Sequence, residues 1–356
     1  MSRPEMPLRE KLGQVGIAVT GNDDTPVLET PWFVRALQAL SGWLAAVFLL
    51  GFIALGVAFV IESSVASAAL GLAMIATAYG LLRKTPGDFV EHLALAVSLA
   101  GQLLVAWAIG SAMDGVSAGL WWALLGLQVV LAMVMPSLTH RTFSAFAASL
   151  ALYMALAESG VPDIATGLVL LVATWIWLHE FRWPDRMRRM QALGYGLLLG
   201  LLAIQSVGSF GQPLLGLWSG PDSAALTWLG PWVGEGLATL ALLLLLWHVF
   251  HHREHGVDLA KRIAAYGAVA LLLLASLQAH GLIQGAMVVA LGFAIGNRLV
   301  MGLGVILLLL SIANYYYLLD ATLLIKALTL AVIGVLLLAM RWGLRHWWAR
   351  EELGDE

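Results

Sequence analysis

Polar and apolar positions along this chain do not alternate at the two-residue step of a strand, nor do they form one narrow helical stripe. They fall into long apolar blocks separated by short polar clusters. After a polar segment ending near residue 31, apolar runs occupy 36–61, 66–82, 93–112, 120–136, 143–157, 164–179, 191–207, 232–250, 263–280, 282–296, 299–317 and 321–340. A helix that crosses a bilayer needs about 20 predominantly apolar residues, and within lipid only helices and closed barrels satisfy their own backbone groups. The pattern therefore predicts an all-α polytopic transmembrane bundle of about twelve spans. Several runs, 143–157 and 164–179 among them, are short for a full crossing, so one pair is open to a re-entrant arrangement.

Composition supports a lipid environment. Hydrophobic residues make up 60% of the 356 and charged residues 12%, against about 25% charged in soluble domains. The formal net charge of −3 points to no nucleic-acid surface, and the absence of cysteine removes disulfides, thiolate metal sites and cysteine nucleophiles. The N-terminal segment contains Asp23, Asp24 and Glu29, unlike the basic start of a cleaved signal peptide, so the first span is expected to stay in the mature protein.

Charge placement predicts orientation. With the spans alternating, 18 of the 19 Lys and Arg residues fall on one side, including Arg83, Lys84, Arg141, Arg182, Arg186, Arg188, Arg189, Arg253 and Arg298. The opposite turns contain Glu62, Asp114, Glu158, Asp163, Asp222 and Asp320. The positive-inside rule then places both termini in the cytoplasm. The expected organisation is a cytosolic segment over 1–31, a transmembrane bundle over 32–341 and a cytosolic tail over 342–356. The connection 208–231, rich in Gly, Pro and Trp, is expected along the outer interface.

Two stretches carry a more specific pattern: PWFVRALQALSGWLAAVFLLGF at 31–52, and 292–341 with its GNR, YYY and TLL-K elements. They resemble the uncharacterised bacterial polytopic membrane family known as domain of unknown function 4401, over nearly the whole chain. The resemblance implies a bundle in the bacterial inner membrane, and it carries no activity, cofactor or catalytic residue.

Lys326 is the one basic residue out of place, six positions beyond Asp320 in the last run, or about 9 Å along a helix. Two readings stand. Its ammonium snorkels to the outer surface, or it pairs inward with Glu235, with Asn314, Tyr315, Tyr316 or Tyr317 supplying hydrogen bonds. Asp320 is the poorer helical partner, because six positions turn it away. The tyrosine triplet also suits an aromatic belt at a span end. Gly296 and Asn297 suit a reversal between helices, since both tolerate positive φ.

His248, His251, His252 and His255 follow i, i+3, i+4 and i+7 spacing and are expected on one helix face, without a bound metal. Gly281, Gly285, Gly292 and Gly296, and Gly196 with Gly200, are expected to let helix backbones approach closely. Gln102, Gln128, Gln205, Gln278 and Gln284 are expected to bond between helices or to line a polar path. Neither HExxH nor a phosphate loop is present, and no enzyme and no cofactor is expected. Two functions remain open: a transporter or lipid-handling permease, and a non-catalytic scaffold or accessory subunit that holds other membrane proteins. Beyond the lipid bilayer itself no partner is specified.

Overall fold

A computed structural model of the chain describes residues 62–84, 87–113, 115–182, 184–210, 229–251, 259–276 and 281–318, together with isolated helical positions within 34–51 and 324–338. The N-terminal segment, the C-terminal tail and most of the 208–231 connection lie outside the described residues.

The described residues form ten α-helices and no strand. They are α1 (Ser64–Lys84), α2 (Asp88–Ala112), α3 (Ala118–Val134), α4 (Leu138–Glu158) and α5 (Asp163–Leu178), then α6 (Met187–Phe210), α7 (Leu229–His251), α8 (Leu259–Ser276), α9 (Leu282–Ala294) and α10 (Arg298–Leu318). Two 3-10 turns, Glu180–Arg182 and Pro184–Arg186, join α5 to α6. These ten helices coincide with the second to eleventh apolar runs of the sequence.

Five of them (α1, α2, α6, α7 and α10) are long and apolar enough to cross a membrane, and α3, α5 and α9 are shorter apolar helices. A 21-residue helix such as α1 is about 32 Å long, close to the roughly 30 Å of a bilayer's hydrocarbon core. Their outer faces remain apolar: Leu72, Leu103, Trp107, Trp232, Trp247 and Leu309 are all exposed. A set of helices of this length and character is consistent with a membrane protein. The run at 143–157, short in the sequence, is the middle of the 21-residue α4, because Ser137 caps the helix earlier by accepting from the His140 backbone N–H.

Sequential neighbours form hairpins (α1 with α2, α3 with α4, α9 with α10), and α4 to α10 interlock through α4–α6, α5–α7 and α6–α10 contacts. The main core lies in this larger group, around Leu170, Trp177, Leu201, Leu245, Met287 and Leu307. A smaller core joins Ile75 of α1, Val105 of α2 and Leu131 with Met135 at the end of α3. Of the expected glycine stripe, Gly285 and Gly292 meet the α10 backbone closely, whereas nothing lies within 4 Å of a Cβ built on Gly296. A Cβ on Gly285 would stand 2.7 Å from the Leu308 nitrogen of α10, so this crossing requires bare backbone.

Candidate functional site

Helix α9 has 13 residues and is about 20 Å long, shorter than its hairpin partner α10. Its N-terminus is consequently recessed. Gly281, with φ +93°, precedes α9, and a Cβ there would lie 2.9 Å from the Ser311 hydroxyl. α10 runs on seven residues past Ser311, about 10 Å further. Only glycine combines that backbone angle with that proximity. Beside the start of the short helix the bundle leaves a half-open cavity of about 270 Å³.

Glu235 faces this cavity from α7, six residues beyond the helix's first residue, Leu229. Its side chain is 6% exposed. Oε2 accepts from the Ser276 hydroxyl of α8 at 2.7 Å. Oε1 accepts from the Gly281 backbone N–H and from Gln284 Nε2, each at 3.4 Å. A carboxylate so buried is costly unless its oxygens are satisfied, and here a hydroxyl, an amide and the N-terminus of α9 supply the donors.

Around Glu235 the cavity is lined by Asp163 and Thr166 of α5, Gln205 of α6, Gln284 of α9 and Asn314 of α10. Gln205 Nε2 donates to the Ser311 hydroxyl, bridging α6 and α10. Gln284 Oε1 has no hydrogen-bond partner among the described residues. The lining thus offers two carboxylates and several amide oxygens, the chemistry of a site for a cation or for a solute rich in hydrogen-bond donors.

Of the residues expected to carry chemistry, the structure brings Glu235 and Asn314 to one cavity. Tyr315 is buried within the bundle at 6% exposure, so the interface belt does not account for this ring, which packs inward. Tyr316 and Tyr317 continue the backbone of α10, and their side chains, with Asp320 and Lys326, lie outside the described residues. Gly296 adopts φ +69° as expected. Asn297 caps α10, its Oδ1 accepting from the N–H groups of Leu299 and Val300.

His248 and His251 occupy the last turn of α7. His251 stacks on Trp247, and the His248 ring lies 6.4 Å from that of His179. His252 and His255 lie outside the described residues, among which no three His, Cys, Asp or Glu side chains converge as a metal site.

The sequence did not single out a second polar cluster, between α2, α3 and α4. Gln128 Nε2 donates to Gln102 Oε1 at 2.7 Å, and Gln102 Nε2 donates to the Ser98 hydroxyl at 3.1 Å. Ser98 lies 2.8 Å from His140 Nε2, and His140 Nδ1 lies 3.1 Å from the Ser144 hydroxyl. The two glutamines were expected to bond between helices and do. Nothing in the local spacing marks Ser98, His140 or Ser144, because isolated hydroxyls are common in apolar helices. Ser98, His140 and Ser144 are fully buried, so the cluster joins helices and exposes no nucleophile.

No curated protein and no solved structure matches the chain. A family model described as Domain of unknown function (DUF4401) matches residues 31–346. That span covers most of the sequence, from the SGWLAA stretch through the GNR and YYY elements, and the chain belongs to this family.

Proposed function

We propose that the chain is a multi-pass protein of the bacterial inner membrane, with about twelve spans and both termini in the cytoplasm, that transports a small polar solute through the Glu235 cavity. The observation that carries this reading is a buried carboxylate at the recessed N-terminus of a short helix, inside a polar cavity of an otherwise apolar bundle. Ionisable groups at depth in membrane bundles mark solute or proton paths, and recessed or broken helices are the usual frame for such sites. The two carboxylates favour a solute bearing a positive charge.

The test is solute-driven current in proteoliposomes holding the purified full chain, across a panel of inorganic cations, small amines and zwitterionic amino acids. The proposal expects at least one positively charged solute to drive a saturable current that Glu235→Gln abolishes. A panel that drives no current, or a current indifferent to Glu235→Gln, counts against it. The scaffold alternative predicts no current with any solute of the panel.

A further inference from the structure

On the opposite face of α6 lies a groove of about 1090 Å³, walled by α2, α4 and α6. Its polar and apolar parts are segregated along its length. Arg188, Gln191 and His92 stand at one end, and Leu199, Leu202, Phe143 and Phe146 line the rest. From Tyr195 to Ser206 the α6 wall runs about 16 Å, close to half of a roughly 30 Å hydrocarbon core and so to the depth of one leaflet.

The basic end carries a net positive charge. Three carboxylates stand near it in the chain or fold, and among the described residues none pairs with Arg188: Glu91 accepts from the Ser137 hydroxyl, Glu180 from Gln191, and Asp185 is exposed in the turn before α6, where Arg182 and Arg189 outweigh it. Arg141, the neighbouring guanidinium, is turned to the Ala132 and Met133 carbonyls at the end of α3, 2.9 Å from each. Arg188 is left exposed at the mouth of an apolar channel, with the cationic side chains of Arg186 and Arg189 beside it in sequence.

We propose that this groove holds an anionic glycerophospholipid, its phosphate on Arg188 and His92 and an acyl chain along Leu199, Leu202, Phe143 and Phe146. Charge complementarity selects this occupant: the groove presents unpaired positive charge only where a headgroup would lie, and apolar wall where a chain would lie. Basic pockets between helices at the positively charged side of a membrane protein recognise lipid phosphates in this way. The site shares only the bilayer setting with the Glu235 cavity and does not depend on transport.

Native mass spectrometry of the full chain in mild detergent, with equal amounts of phosphatidylglycerol and phosphatidylcholine bearing the same acyl chains, tests the proposal. Wild type should hold about fivefold more phosphatidylglycerol. Arg188→Gln with His92→Gln should bring the two lipids to parity, whereas Arg188→Lys and the exposed control Arg186→Gln should keep the preference. A photo-crosslinking amino acid at Leu199 should add the mass of a lipid. Equal binding of the two lipids by wild type, a preference surviving Arg188→Gln with His92→Gln, or full displacement by inorganic phosphate would overturn the assignment. So would a crosslink from Leu199 to a second copy of the chain or to another of its own segments.

Discussion

The Ser276 hydroxyl donates to Oε2 of Glu235 across 2.7 Å, tying the end of α8 to α7 beside the cavity. Because both groups are buried, this bond does two things: it holds two helices together and solvates a carboxylate that has little water. Ser276→Ala should lower the stability of the detergent-solubilised protein by about 1 to 3 kcal/mol, the cost of an under-satisfied buried acceptor. In a Glu235→Gln background the same change should cost less, since a neutral amide needs the donor less than a carboxylate does. Thermal unfolding of the four proteins gives the coupling, and strictly additive effects would show that the bond contributes nothing of its own.

Ser98 occupies the centre of the α2–α3–α4 polar chain, where it meets both Gln102 and His140. Ser144 touches only the far side of the imidazole. Ser98→Ala strands two buried partners and should destabilise by about 1 to 3 kcal/mol, while Ser144→Ala should cost less. Equal losses for the two variants, read from thermal unfolding, would mean that the cluster is held by packing and not by this order of hydrogen bonds.

Glu180 lies in the turn between α5 and α6, outside both helices, and is 3% exposed. Burial raises its carboxyl above the ordinary value, and the hydrogen bond from Gln191 opposes that rise. The folded state therefore holds this proton more tightly than the unfolded chain does. Stability is greatest below the unfolded value of about 4.3, falls as pH rises from there through the raised folded value, and stays lower above it. Glu180→Gln should unfold at a higher temperature than wild type at pH 8, and that advantage should vanish near pH 4. An advantage of the same size at both pH values would contradict the burial account.

The helices were legible in the sequence because lipid imposes a simple rule, a run of apolar residues between polar breaks, and α1 to α10 follow it. Glu235 and Asn314 were legible as polar exceptions within that rule. The cavity was not. It depends on α9 being shorter than α10, on the backbone angle at Gly281, and on pairs far apart in the chain. Glu235 meets Ser276 from 41 residues away, and Gln205 meets Ser311 from 106. Gly281 reads in the sequence as one member of a packing stripe, and its N–H becomes a ligand of Glu235 only once α7 and α9 are side by side. Likewise Gln205 and Gln284 read equally well as glue or as a polar path, and their positions on one cavity wall join the two descriptions.

A Glu235 cavity that serves as a solute path must be reachable by water from each side of the membrane in turn. The chain has no cysteine, and Asn314→Cys places a single thiol on the cavity wall. A small membrane-impermeant cationic thiol reagent should label that position both in intact cells and in inverted vesicles, with Glu235→Gln slowing the reaction by removing the attracting charge. Labelling from one side only, or from neither, would rule out a solute path and leave the cavity as a polar joint between helices.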